Sequence, residues 1–331
     1  MSIPRIDLSN FDENYEKIKI EIIDAAKNAG FFMIYNQDSP SLETISDMFE
    51  YSKKFFDLPL KNKQDIPFIK LKNTGYEYFS QLRPSTLTVD QKESIQLQLH
   101  RQNENWPLND NLQPDWSIKV AAFIEQCQEL SMKLLRIFAE ELKFPSNFFT
   151  ERHDITKDTA QSTLRLLHYF KHDDGDDNDK SNLWRAGAHT DFDVLTLLFQ
   201  ESTSISDVEP GYNGLEVCPG RETFTTFGIG DKWTKVPAKL GDIVINIGDM
   251  LMSWSDDQFK SNFHRVRIPN SNEIQQDRYS IAWFNQANTD VLIQGPLKKY
   301  PKTTGKNFIE DAMKRNYSLI KSKEEEEKKN F

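Results

Sequence analysis

Between residues 117 and 142, apolar side chains recur every three or four positions: Val120, Phe123, Ile124, Cys127, Leu130, Leu134, Ile137 and Phe138. That period is helical, so the segment predicts one long amphipathic helix with a single buried stripe. After residue 160 the pattern changes. Short runs rich in Leu, Ile, Val, Phe and Thr occupy residues 163–170, 194–200, 214–218, 242–247, 264–268 and 279–284, with turn residues between them. Several short strands with little helix between them predict an antiparallel sandwich or barrel. Upstream, residues 12–29 carry Tyr15, Ile18, Ile22, Ala25 and Ala26 near helical spacing, with Gly30 placed to end the segment. Phe31–Tyr35 reads as a short buried strand. A second helix opens at Ser39-Pro40, with Pro40 in its first turn, and runs toward Leu58-Pro59. The first 150 residues thus read mainly as helix, packed on a β core formed by the strands beyond residue 160.

Composition narrows the function classes. The 331 residues include 23 Phe, enough for an aromatic-rich core, and 41 Lys plus Arg stand against 51 Asp plus Glu, a formal charge of -10. Such a chain has no global field for DNA or RNA, and no dense basic block offers a local one. The first twenty residues contain no uninterrupted apolar stretch of the signal-peptide kind, and no run is long enough to span a membrane. Cys127 and Cys218, the two cysteines, lie far apart, which excludes a disulfide scaffold and suits a cytoplasmic location. Cys127 falls on the apolar stripe and reads as an inert core thiol.

Three segments read as loops or ends. The acidic run 173–179 invites a calcium site, but Asn178 and Trp184 stand where Gly and Glu are needed, so a solvated loop is expected. Residues 201–213 and 219–240 read as long connections between strands. The tail 321–331, with four consecutive Glu, reads as a solvated or frayed end. Phosphate-binding motifs are missing: Gly228 and Gly230 are followed by Trp233 where a third glycine is required. Gly187-Ala188-His189 is no nucleophile elbow.

Histidine and carboxylate remain. Of His100, His153, His168, His172, His189 and His264, two begin a His-x-Asp pattern. His172-Asp173-Asp174 opens the acidic loop, where no rigid element would fix ligands. His189-Thr190-Asp191 directly precedes the apolar run 194–200, at the mouth of an expected strand. In extended backbone, residues i and i+2 share a face, so His189 and Asp191 would project together. His264, again at a strand boundary, is the best third partner. Two histidines and one carboxylate on one face form the triad that leaves positions open on non-haem Fe(II). Ordinary core or surface histidines are the competing reading, and spacing alone does not decide.

Arg278 and Ser280 share one face of the strand pattern that runs over 278–284. A guanidinium turned into a barrel is costly unless an anion meets it. Paired with a hydroxyl it makes a carboxylate receptor. An internal salt bridge with Asp or Glu is the plainer expectation.

With these residues in place, the sequence resembles the isopenicillin-N-synthase-like family of Fe(II)/2-oxoglutarate-dependent dioxygenases. Matches run in order along most of the chain: Ile3-Pro4-Arg5-Ile6-Asp7-Leu8, Gly30-Phe31-Phe32, Phe55-Phe56-Asp57-Leu58-Pro59, Lys92-Glu93-Ser94 and Asn105-Trp106-Pro107. Leu164-Arg165-Leu166, His189-Thr190-Asp191, Gly214-Leu215-Glu216-Val217, Gly248-Asp249, Trp254-Ser255, Lys260-Ser261, His264-Arg265-Val266 and Arg278-Tyr279-Ser280 continue them. The resemblance implies a double-stranded β-helix, or jelly roll, flanked by helices. It divides the chain into a helical N-terminal region (1–115), a long supporting helix (116–150), the catalytic core (160–300) and a C-terminal helix with a charged tail (301–331).

The resemblance also assigns roles. Iron ligation falls to His189, Asp191 and His264, and the distal carboxylate of 2-oxoglutarate to Arg278 and Ser280. Tyr169 stands where the family often has a tyrosine bonded to the co-substrate, although Leu167 and Phe170 replace the usual neighbours. Asp191 and His264 are farther apart than is usual, and the excess falls in the two long loops, where insertion is thermodynamically cheap. The implied activity is oxidation, chiefly hydroxylation, of a small molecule with Fe(II), 2-oxoglutarate and O2, releasing succinate and CO2, with ascorbate as accessory reductant. An iron oxidase of the same fold that needs no 2-oxoglutarate is the alternative, followed by a non-catalytic jelly-roll binding module. Neither substrate nor oligomeric state is readable.

Overall fold

The computed structural model describes residues 3–107, 112–171, 184–201, 212–218, 232–270 and 275–329. In chain order, β1 (Arg5–Asp7), α1 (Tyr15–Asn28), β2 (Phe31–Tyr35), α2 (Leu42–Phe56), α3 (Leu60–Gln64), β3 (Gly75–Tyr78), β4 (Lys92–Leu97) and α4 (Trp116–Glu141) come first. The second half comprises β5 (Thr163–Tyr169), β6 (Ala186–His189), β7 (Leu195–Gln200), β8 (Leu215–Val217), β9 (Thr234–Lys235), β10 (Ile243–Ile247), α5 (Asp249–Trp254), β11 (His264–Val266) and β12 (Arg278–Asn285). Two short strands, β13 (Leu292–Ile293) and β14 (Thr303–Thr304), precede the terminal helix α6 (Gly305–Lys329).

Two sheets face each other. The larger has eight strands in the order β1-β2-β10-β7-β12-β5-β4-β3, and the smaller has four, β6-β11-β8-β9. β1 runs parallel to β2, and the other pairings of these sheets are antiparallel. Helices α1, α2 and α4 cover the outer face of the larger sheet. This is the jelly roll with flanking helices that the sequence leads one to expect.

Period-two alternation assigns each strand residue to a layer. On β12, Ile281 and Trp283 face α4, where the Trp283 indole N–H donates to Ser131 Oγ at 3.1 Å. On β7, Leu197 and Phe199 face the same way, with Phe199 against Phe123 of α4. The apolar stripe of α4 is buried as its spacing predicts, Cys127 included, and burial pushes that thiol well up. Each fully buried side chain of this kind contributes about 1.5–3 kcal/mol. The opposite faces of β5, β7 and β12 look into the space between the sheets.

The structure corrects the sequence reading in three places. The first 150 residues hold four strands of the larger sheet as well as helices. β4 escapes notice because both of its faces are buried while its residues are largely polar, so it lacks an apolar period. Pro40 lies outside α2: Ser41 is the N-cap, accepting the Thr44 N–H at 3.1 Å, and this satisfies a donor that the helix leaves free. The segment 219–240 includes β9 rather than being wholly loop. The acidic run 173–179 and His172 lie outside the described residues. Among the described residues no helix is long and apolar enough to cross a membrane.

Candidate active site

β6 and β11 pair so that His189 lies directly opposite His264. Their ring centroids are 4.2 Å apart. His189 is the last residue of β6, not the approach to β7, and Asp191 follows in the connection between them. His189 Nε2 is 3.9 Å from Asp191 Oδ1, and His264 Nε2 is 3.8 Å from Asp191 Oδ2. One ligand atom from each residue lies within 4.8 Å of the others. Among the described residues this is the one group of three or more His, Cys, Asp or Glu so placed. His153 packs against Trp254, and His168 pairs with Glu93, both away from the triad.

The surroundings suit these groups to metal ligation. His189 Nδ1 donates to the Gly187 carbonyl at 2.7 Å, which leaves Nε2 with a free lone pair. Burial holds the His189 imidazole well below its ordinary pKa, and Arg83 and His264 add to this. His264 is lowered as well, by burial against an opposing pull from Asp191. Asp191 Oδ2 accepts from Thr196 Oγ1 at 2.7 Å and from Asn246 Nδ2 at 2.8 Å. Its Oδ1 is thereby left for a metal. Two neutral imidazoles and a carboxylate suit Fe(II), so the donor set fits the implied ion.

A further hydrogen-bonded layer ties together the segments that carry these three residues. Asp249 accepts from Thr190 Oγ1 at 3.1 Å and Ser261 Oγ at 2.6 Å, and its N–H donates to the Asp191 carbonyl at 2.8 Å. It thus links the 189–191 segment to the approach to His264. Burial raises the Asp249 carboxyl to about 6 against those donors. A Cβ on Gly248 would meet the Asp193 carbonyl oxygen at 2.1 Å, so the close approach of α5 to this segment requires glycine.

The triad opens into a cavity between the sheets, which Tyr169, Arg278, Arg83, Lys92 and Arg165 also line. Arg278 is 3% exposed. Its Nη1 donates to Ser280 Oγ at 3.1 Å, and its guanidinium lies 4.8 Å from the Tyr169 ring centre. Among the described residues no carboxylate forms an ion pair with it, and its Nε is buried without a partner. The internal salt bridge expected from sequence is therefore not found. Burial pulls this guanidinium below its ordinary pKa, as expected for a cation awaiting an anion.

Comparison with known proteins agrees with this geometry. Residues 160–287 match the family described as the 2OG-Fe(II) oxygenase superfamily. Residues 3–116 match the one described as the non-haem dioxygenase in morphine synthesis N-terminal region. A UPF0676 protein of Schizosaccharomyces pombe is 30% identical, over 93% of this chain and 88% of its own. The chain belongs to the 2OG-Fe(II) oxygenase superfamily. The 2-oxoglutarate-dependent dioxygenase caaD of Aspergillus niger is 28% identical, covering 96% of this oxygenase and 95% of its own chain. A full-length Neurospora crassa protein crystallised with alpha-KG is 27% identical, with a TM-score of 0.77 over 93% of this chain and 94% of its own. The same protein has been crystallised with alpha-KG and thymine. This chain is an Fe(II)- and 2-oxoglutarate-dependent dioxygenase that oxidises a small molecule.

Sequence reasoning overlooked several residues of this oxygenase's site. Thr196 and Asn246 are polar residues at inward positions of otherwise apolar strands, a signal that was there to be read. Asp249 and Ser261 were visible within family matches but carried no role. Lys92 too lay within a family match without a role, and Arg83 gave no signal, because tertiary structure alone brings residues so far upstream to the triad.

Proposed function

We propose that His189, Asp191 and His264 are the three protein ligands of the iron, and that Arg278, Ser280 and Tyr169 receive the distal carboxylate of 2-oxoglutarate. One observation carries this reading: a convergent His-Asp-His cluster shares a cavity with a buried arginine that no carboxylate among the described residues pairs with. Bound Fe(II), with 2-oxoglutarate and O2, supplies the oxidising chemistry and yields succinate and CO2. The chain's own residues do the rest. Thr196 and Asn246 hold the Asp191 carboxylate by one oxygen. Arg278 and Ser280 fix the far end of the co-substrate, which restricts its near end to one approach to the metal. The walls between the sheets shield the reacting centre from water. Hydroxylation of a bound small molecule is the outcome we assign.

An anaerobic titration of metal-free protein with Fe(II), then 2-oxoglutarate, tests the reading through the visible charge-transfer band of the chelate. A saturable band is expected in the wild type, absent in His189→Ala and weakened in Arg278→Ala. An undiminished band in His189→Ala would refute the ligand assignment.

A further inference from the structure

The cavity wall carries a second group of cations: Arg83, Lys92 and Arg165. Lys92 and Arg83 share Asp90, whose Oδ2 accepts from Lys92 Nζ and Arg83 Nε at 2.8 Å each. Burial by itself would raise the Asp90 carboxyl, but the two cations outweigh it and hold it below its usual range. Arg165 is served less well. The carboxylate beside it, Glu77, stands 3.7 Å from Arg165 Nη2 and already accepts from Ser80, Gln81 and Gln96. Arg165 Nε is buried without a partner. Four cationic side chains thus line the cavity, with the carboxylates of Asp90 and Glu77 behind three of them.

Position separates Arg165 from Arg278. Arg165 and Tyr169 lie on the same face of β5, four residues and so about 13 Å apart. Tyr169 is the cross-strand partner of Arg278. Arg165 instead sits 5.6 Å from the Phe284 ring centre, and Phe284 is the cross-strand partner of Thr196, which bonds the Asp191 carboxylate. Along the strands, Arg165 therefore stands toward the triad end of the wall and Arg278 toward the other. A guanidinium at the triad end of the wall, whose one nearby carboxylate stands 3.7 Å away and is shared with three other donors, is costly to bury unless a ligand completes the counter-charge.

We infer that the substrate is a small carboxylic acid, bound as its anion with the carboxylate on Arg165 and its apolar body against Phe284. The inference rests on the reading of the triad and Arg278 given above. The Arg165 fork takes the carboxylate bidentately, while Leu198, Leu215 and Val266 complete an apolar wall. Arg165 thereby selects for charge, and the apolar wall for the shape of what carries it.

The test uses the anaerobic protein loaded with Fe(II) and saturating 2-oxoglutarate, titrated calorimetrically with benzoate, phenylacetate and hexanoate, each against its primary amide. In the wild type at least one acid should bind about tenfold or more tighter than its amide. Arg165→Leu should bring each pair to within about twofold while still forming the chelate band, which shows that it is folded. Glu77→Gln removes a competing carboxylate and should tighten the acid about fivefold. Amides that bind as well as their acids, an acid preference surviving in Arg165→Leu, or no binding by any acid would each overturn the inference. Absence of the chelate band in the wild type would instead strike the iron and co-substrate assignment.

Discussion

His189 and His264 are cross-strand partners, with imidazole centroids 4.2 Å apart and ring planes inclined at 52°. Sheet register therefore holds two of the three candidate ligands, and a slip of one residue would turn one imidazole out of the cavity. Asp191 has no such support, because it lies beyond the end of β6. Hydrogen bonds to neighbouring strands set its position instead.

Thr196→Val tests that support. The change keeps the side-chain shape and removes the 2.7 Å bond to Asp191 Oδ2, leaving Asn246 as the remaining donor. Affinity for Mn(II), measured calorimetrically on the metal-free protein, should fall about tenfold or more. An affinity equal to that of the wild type would show that Thr196 does not orient the carboxylate.

Arg278→Lys keeps the charge but loses the planar fork that spans Ser280 and the cavity. The KM for 2-oxoglutarate should rise about tenfold, with kcat at saturation changed much less. Succinate release against 2-oxoglutarate concentration reads both parameters. A fall in kcat at unchanged KM would place Arg278 elsewhere in the reaction.

Gly248→Ala should act on the whole 189–193 segment. Its Cβ would meet the Asp193 carbonyl oxygen at 2.1 Å and Asp193 Oδ1 at 2.2 Å, so α5 and the segment after Asp191 would have to part. Urea unfolding should show a loss of about 2 kcal/mol or more. A midpoint matching the wild type would mean that the segment relaxes freely.

His153 makes stability depend on pH. It is fully buried against Trp254, and burial lowers its pKa from 6.5 to about 4. Between these values the unfolded chain binds a proton that the folded chain refuses. Its contribution is complete above pH 6.5 and diminishes as pH falls toward 4, by up to about 1.4 kcal/mol per pH unit. Urea unfolding of wild type and His153→Gln at pH 6.5 and pH 5 should differ in slope in that sense. Parallel losses would assign the acid sensitivity to other groups.

The helical layer was legible in the sequence. The stripe of α4 and the outward residues of β5, β7 and β12 follow one period each, because each meets a uniformly apolar neighbour. β4 was not legible. Lys92 looks into the cavity and Glu93 lies beneath the helices paired with Lys63 and His168, so charge sits on both faces and erases the alternation. A strand whose polar groups are satisfied by distant partners resembles a loop when read alone.

The sequence by itself determined which side chains are candidates for a metal and co-substrate site: His189, Asp191, His264, Arg278 and Ser280 were all singled out by type and spacing. Tertiary structure alone decided that the triad converges, that no carboxylate among the described residues pairs with Arg278, and that Arg83, Lys92 and Arg165 join it around one cavity. The physical reason is that local periodicity reports which face a residue occupies. Whether a buried charge is paired depends on strand register and on which distant segments pack opposite, and no local pattern records either.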